Sequence, residues 1–241
     1  MEIGLVSCFN RSGNIDFNLS QIEKFCCKGF EKGIDLICFG EAFIQGFDAL
    51  KWDFDVDRNV AVDVNSSEIF FIRSAASRFS VAISVGFIEF CDGLIYSSNI
   101  VIDKSGNVID IFRRISPGWK EEIASSEYKE GSCFNRFELE GISFSTAICG
   151  DLWFEDNIDD ITRLNSDVVL WPLYIDYSAD EWNNHAVFEY AEQIRKIGVP
   201  VLMINNITEN GANVGCAVFQ NGCIKKKSDM GIESILLFSI K

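Results

Sequence analysis

Three places in the chain put a reactive or charged side chain where an apolar run ends. The run Phe144 to Cys149 stops at Cys149-Gly150-Asp151. Glycine at 150 permits a sharp backbone turn that would expose Cys149 at a sheet edge, and the N–H following such a nucleophile can meet a developing oxyanion. The run Leu36 to Phe39 leads into Gly40-Glu41, a carboxylate that is costly to bury unpaired. Phe112 is followed by Arg113, Arg114, a Pro117-Gly118 turn, and then Trp119, Lys120, Glu121 and Glu122. Singly, each has a plainer reading. Glu41 can turn outward, Cys149 can be a small core cysteine, and the 113–122 stretch can be a solvated charged loop.

The counts narrow the chemistry. The 241 residues hold one histidine, His185, so a Ser-His-Asp or Cys-His enzyme must take its base from there, and a His-rich catalytic metal site is excluded. Nine cysteines without CxxC spacing make structural zinc unconvincing. Their odd number, with no apolar leader, argues against a secreted disulfide scaffold, so the cysteines are expected reduced in a cytoplasmic protein. Lys plus Arg number 21 against 36 Asp plus Glu, a net charge of −15 that repels nucleic-acid phosphates. No apolar run approaches the ~20 residues needed to span a bilayer, so no membrane partner is expected.

The elements that must position these groups follow from periodicity. Short runs rich in Val, Ile and Phe recur along the chain as strand candidates, and Tyr96–Asp103 with Val108 onward reads as a hairpin turning at Lys104-Ser105-Gly106-Asn107. Apolar residues at helical spacing predict one helix between Asn18 and Gly33, a second behind Asn65 with Glu68 as capping partner, and a third from Trp182 to Gly198. His185 shares the apolar face of Trp182 and Ala186, which suits a core or edge histidine. Cys26 and Cys27 point in different directions in the first helix, and Lys225-Lys226-Lys227 reads as a solvated turn. Strands alternating with helices, without a linker or repeat, predict a single α+β (α/β) domain over residues 1–241.

The order of these features resembles the nitrilase, or carbon–nitrogen hydrolase, superfamily over nearly the whole chain. Beside Glu41 and Cys149-Gly150-Asp151, the matching marks are Asn18-Leu19, Val85-Gly86-Phe87-Ile88-Glu89 with Ile95-Tyr96-Ser97-Ser98, Phe112-Arg113-Arg114, Ser166 to Pro172, Ala191 to Asn205, and Gly215-Cys216. The resemblance implies a four-layer α-β-β-α sandwich that forms a homodimer and hydrolyses non-peptide C–N bonds of a small amide or carbamoyl substrate. It implies no metal and no organic cofactor. Two alternatives stand beside it: a glutaminase-type subunit delivering ammonia to a partner synthetase, and a degenerate member that binds without catalysis.

The resemblance further implies a Glu–Lys–Cys triad, with Glu41 as general base and Cys149 as nucleophile. The family's lysine would fall at Arg114 or Arg113, while the lysines between Phe112 and Cys149 are Lys120 and Lys129. Lys120 is taken as the oxyanion cation because a compact charge is needed near the Cys149 turn, with Arg114 as the alternative. Gly150 supplies the backbone N–H. Glu121 or Glu122 is the nearest match to the family's second glutamate, and Trp119, Trp153 and Trp171 are expected to line a small pocket.

Overall fold

The computed structural model describes residues 1–209 and 211–241. Twelve strands form two six-stranded sheets. The first sheet has the order β12-β1-β2-β3-β4-β5, built from β1 (Glu2–Ser7), β2 (Leu36–Cys38), β3 (Ala82–Cys91), β4 (Leu94–Ile102), β5 (Val108–Arg113) and β12 (Ser234–Ser239). The second has the order β11-β10-β9-β8-β7-β6, built from β6 (Arg136–Leu139), β7 (Ile142–Thr146), β8 (Val168–Leu173), β9 (Val201–Asn205), β10 (Ala217–Gln220) and β11 (Cys223–Lys227). In each, three parallel strands carry antiparallel neighbours at their flanks.

The helices are α1 (Ile15–Glu31), α2 (Phe54–Asp57), α3 (Ser67–Phe79), α4 (Glu155–Arg163), α5 (Ala179–Glu181) and α6 (Val187–Gln193). Ile22, Phe25 and Cys26 of α1 and Ile69, Ile72 and Ala76 of α3 pack on the outer face of the first sheet. Ile158 and Ile161 of α4 and Val187, Tyr190 and Ala191 of α6 pack on the outer face of the second. Between the sheets lies a separate apolar layer from both, including Leu5, Leu36 and Val101 against Phe144, Leu170 and Leu202. The result is a four-layer α-β-β-α sandwich. Among the described residues, no helix is long and apolar enough to cross a membrane.

Several local expectations shift. Helix α1 starts at Ile15 because the Asn14 side chain accepts the Phe17 N–H. Asn18 is instead buried, binding the backbone of Arg11 and Ile44. The cap of α3 is Ser66, which accepts the Ile69 N–H. The expected third helix is not continuous: a π-turn over Trp182–Ala186 joins α5 to α6, and a 3₁₀ turn over Arg195–Ile197 follows. Trp182 and Ala186 remain buried while His185 between them is exposed, so it is not a core residue. Lys225 to Lys227 are not a turn but belong to β11, the outermost strand of its sheet. Exposed lysines there blunt an edge that would otherwise pair with another chain.

Candidate active site

Glu41 and Cys149 follow β2 and β7, a parallel strand of each sheet, so the facing sheets bring their carboxyl ends to one place. This is where open α/β sheets present binding groups. The Glu41 side chain is 1% exposed. Its Oε1 accepts from Ser97 Oγ at 3.0 Å and from Arg114 Nη1 at 3.1 Å. Its main chain is bracketed by Asn206, whose Nδ2 donates to Glu41 O at 2.8 Å and whose Oδ1 accepts the Gly40 N–H at 3.1 Å. The carboxylate therefore has fixed partners in a dry site, as buried charge requires.

Cys149 sits at φ +43°, a left-handed conformation that is unusual for a side chain with a Cβ. Two contacts hold the turn. Trp171 Nε1 donates to Cys149 O at 2.8 Å. The buried Asp151 carboxylate accepts the N–H groups of Ile148 (2.8 Å), Ile115 (3.0 Å) and Ser116 (2.7 Å), stitching the Cys149 turn to the loop that carries Arg114. Gly150 is forced by packing: a Cβ there would lie 2.5 Å from Arg114 Nη2.

The electrostatics follow from this crowding. Burial, reinforced by the Glu41 carboxylate, pushes the Cys149 thiol up to about 12, while Arg114 and the Tyr174 N–H pull against the rise. Burial works against the charge on Arg114, but Glu41, Cys149 and Asp151 outweigh it and hold the guanidinium above its ordinary range. Asp151 is pushed upward by burial against the pull of its N–H donors.

Cys149 and Arg114 open into a cavity of about 390 Å3. Phe47, Trp52, Trp119 and Tyr174 form its aromatic wall, with Phe47 stacked on Tyr174 at 5.5 Å and Trp52 edge-on to Trp119 at 6.0 Å. Glu121 and Glu122 also line it, exposed at the rim and away from the Glu41 carboxylate. Lys120 lines the same cavity, but its Nζ is held by Tyr128 O at 2.8 Å and by the Glu130 carboxylate at 2.9 Å. The cation in contact with Glu41 is Arg114. Trp119 lies in the cavity wall, and Trp171 is fully buried beneath Cys149. Trp153, 41% exposed, lines a different surface groove with Glu189 and Gln193. Among the described residues no His, Cys, Asp or Glu group is arranged to hold a metal. Ser97, Asp151 and Asn206 complete the site without a role expected from sequence, although Ser97 and Asp151 lie within, and Asn206 just after, stretches that carry the family resemblance.

A carbon–nitrogen hydrolase family model matches residues 3–216. The chain belongs to the carbon–nitrogen hydrolase family. Among individual family relatives, it is 26% identical over 117 residues to a nitrilase of Meyerozyma guilliermondii, covering 46% of this chain and 37% of that protein. It is 23% identical over 171 residues to the N-carbamoylputrescine amidase of Arabidopsis thaliana, covering 69% of this chain and 56% of that one. The chain thus spans about half the length of these curated relatives. Among solved structures, an amidase from Nesterenkonia sp. AN1, with acrylamide added at its active-site cysteine, superposes with a TM-score of 0.80 at 14% identity, covering 100% of this chain and 93% of that one. That likeness shows the four-layer sandwich fold.

Proposed function

We propose that this chain hydrolyses the C–N bond of a small linear amide or carbamoyl compound through a thioester on Cys149, with Arg114 in the cationic position. The observation that carries the reading is that Arg114 and Cys149 line one aromatic-walled cavity while the buried Glu41 carboxylate engages both from behind it. Glu41 takes the thiol proton as the sulfur attacks the carbonyl carbon. The oxyanion that forms is met by the Arg114 guanidinium and the Gly150 N–H. The C–N bond then breaks as the nitrogen takes the proton back from Glu41, leaving a thioester. Water gives a proton to Glu41 and its oxygen to the acyl carbon. The acid departs, and the returning proton restores the thiol.

This mechanism draws on no metal or organic cofactor. Burial keeps the resting thiol protonated, so the attack needs Glu41 to take its proton as the sulfur reaches the carbonyl carbon. Support for amides over nitriles comes from the extent of the matches: two amidases align over 69% and 70% of this chain, against 46% for the nitrilase. The reading includes a single hydrolase domain acting as a cytoplasmic homodimer.

The test is ammonia release from a panel of short-chain amides, ω-amides, carbamoyl amines and glutamine. Turnover of short amides that is abolished in Cys149→Ala and in Glu41→Gln supports the proposal. Turnover of glutamine alone would replace it with the ammonia-delivering reading. No turnover across the panel, with iodoacetamide labelling Cys149 no faster than the other cysteines, would replace it with a binding role.

A further inference from the structure

The Glu41 cluster has a counterpart on the other face of the same sheet. Consecutive residues of a strand point to opposite faces. On β4, Ser97 faces the second sheet and bonds Glu41, while Ser98 faces outward and donates to Glu89 Oε2 at 2.6 Å. At the end of β5, Arg114 turns inward to Glu41, while Arg113 turns outward and grips Glu89 through Nε at 2.7 Å and Nη2 at 2.6 Å. Two Arg–Glu–Ser sets thus stand back to back across one hairpin. The outer set is well built: the Glu89 side chain is 3% exposed, and the Arg113 guanidinium lies 4.0 Å over the Tyr96 ring. Glu89 pairs directly with Tyr96 across β3 and β4, and Arg113 pairs with Ser98 across β4 and β5.

We infer that the Arg113–Glu89 pair is a positioning device for the reaction, fixing the register of β5 so that Arg114 enters the site. This inference rests on the roles proposed above for Glu41, Arg114 and Cys149. Strand β5 is the last of its sheet and takes its register from β4 alone, while Gly131 N–H on Arg114 O and Asp151 on the Ile115 and Ser116 N–H groups hold only the chain beyond it. Both arginines and both serines are adjacent doublets, so the local sequence alone does not distinguish one register from the next. A slip of one residue would turn every side chain to the other face and offer Arg113 to Glu41. The bidentate fork to a buried carboxylate singles out Arg113 for the outer face. The next residue is then tied to Ser97 by the Arg114 N–H, 2.8 Å from Ser97 O, and its guanidinium is delivered to Glu41.

The experiment compares wild type, Arg113→Lys, Arg113→Met and Cys149→Ala for kcat and KM on the best amide, thermal midpoint, and the rate of Cys149 alkylation by iodoacetamide at pH 9. The inference expects Arg113→Met to lower kcat at least tenfold with KM within twofold, and to slow Cys149 alkylation at least threefold as Arg114 leaves the sulfur. Arg113→Lys, keeping the charge but losing the fork, should fall between wild type and Arg113→Met on both readouts. A lower thermal midpoint with kcat and alkylation unchanged would show a purely structural pair and overturn the inference. Where Arg113→Met does not fold, Arg113→Lys decides: wild-type kcat and alkylation overturn it, and a threefold or greater loss sustains it. Undiminished turnover by Cys149→Ala would instead overturn the catalytic proposal itself.

Discussion

Arg114 Nη1 lies 3.1 Å from Glu41 Oε1, and the two side chains are 7% and 1% exposed. A guanidinium and a carboxylate so stripped of water hold each other in place, and removing either leaves a buried charge unpaired. Arg114 Nη2 sits over Gly150 and its Nε donates to Ser116 Oγ at 3.0 Å, so one side chain touches Glu41, the Cys149 turn and the loop between them.

The first prediction separates the two candidate cations. Arg114→Ala should lower kcat/KM at least a hundredfold and lower the thermal midpoint, because Glu41 loses its ion partner at a cost of about 3–5 kcal/mol. Arg114→Lys should keep measurable turnover, since the charge remains although the forked geometry does not. Lys120→Ala, which breaks an ion pair with Glu130 at the cavity's edge, should leave kcat/KM within about threefold by comparison with exposed pairs. The reverse ranking in steady-state kinetics would return the role to Lys120.

The second prediction concerns proton affinity at the nucleophile. With the thiol pushed up to about 12, the thiolate fraction of free enzyme rises tenfold per pH unit, and Cys149 alkylation should climb from pH 7 to 10 without a plateau. Glu41 is among the groups that raise Cys149. Glu41→Gln should therefore speed alkylation at a fixed pH while abolishing turnover. Mass spectrometry of the alkylated peptide checks both, and a plateau below pH 9 would contradict the first.

Glu41 and Cys149 stood out in the sequence because both follow an apolar strand and adjoin a glycine, but each alone also suits a plain structural role, and the ordered family resemblance along the chain is what joined them as a site. The choice between Arg114 and Lys120 was not legible. It depends on the register of β5 on β4 and on Glu130 being close enough to engage Lys120, neither of which leaves a local trace. Ser97 and Asn206 were missed as site residues for the same reason. They are 56 and 165 positions from Glu41, and ordinary polar residues in or after a strand look alike until sheets are stacked. Trp153 was placed in the pocket by proximity to Cys149 in sequence, but the 3₁₀ turn over Cys149–Trp153 carries it to the outer surface.

A third prediction tests the packing at that turn. Any side chain on residue 150 meets Arg114 Nη2 at 2.5 Å, and Gly150→Ala must displace the guanidinium or the turn. Overpacking of this kind costs typically about 1–3 kcal/mol. The expected result is a modest loss of thermal stability with a much larger loss of kcat, of at least tenfold, since the displaced group is the one proposed to meet the oxyanion. Equal stability and activity to wild type would show that Arg114 has room to retreat.

The fourth concerns stability and lies away from the site. Burial raises the Asp110 carboxyl to about 6, against the donated hydrogen bonds of Asn135 and the Ile111 N–H. The folded state therefore binds the proton more tightly than the unfolded state, whose carboxyl titrates near its ordinary 3.8. Stability associated with this group is present below about pH 4 and is lost as pH rises through 6, on the order of 3 kcal/mol in all. Asp110→Asn should remove that slope and raise the thermal midpoint at pH 7, measured by calorimetry across pH 4 to 7. An unchanged slope in the variant would assign it to other groups.

The last prediction concerns substrate charge. Both cations lining the catalytic cavity are already engaged, Arg114 by Glu41 and Lys120 by Glu130. Glu121 and Glu122 line the same cavity, exposed, and make no ion pair among the described residues. The rim field is therefore negative, over an aromatic wall whose ring faces favour a cation. Among short amides of equal length, one ending in an ammonium should have a kcat/KM at least tenfold above one ending in a carboxylate, with a neutral isostere between them. The advantage should shrink several-fold in Glu121→Gln/Glu122→Gln, and it should shrink in 0.5 M salt as screening shortens to a few ångströms. If the double variant keeps the full preference, the charge that selects the substrate is not at these two positions, and Asp48, which accepts from the hydroxyl of the wall residue Tyr174, is the next carboxylate to replace.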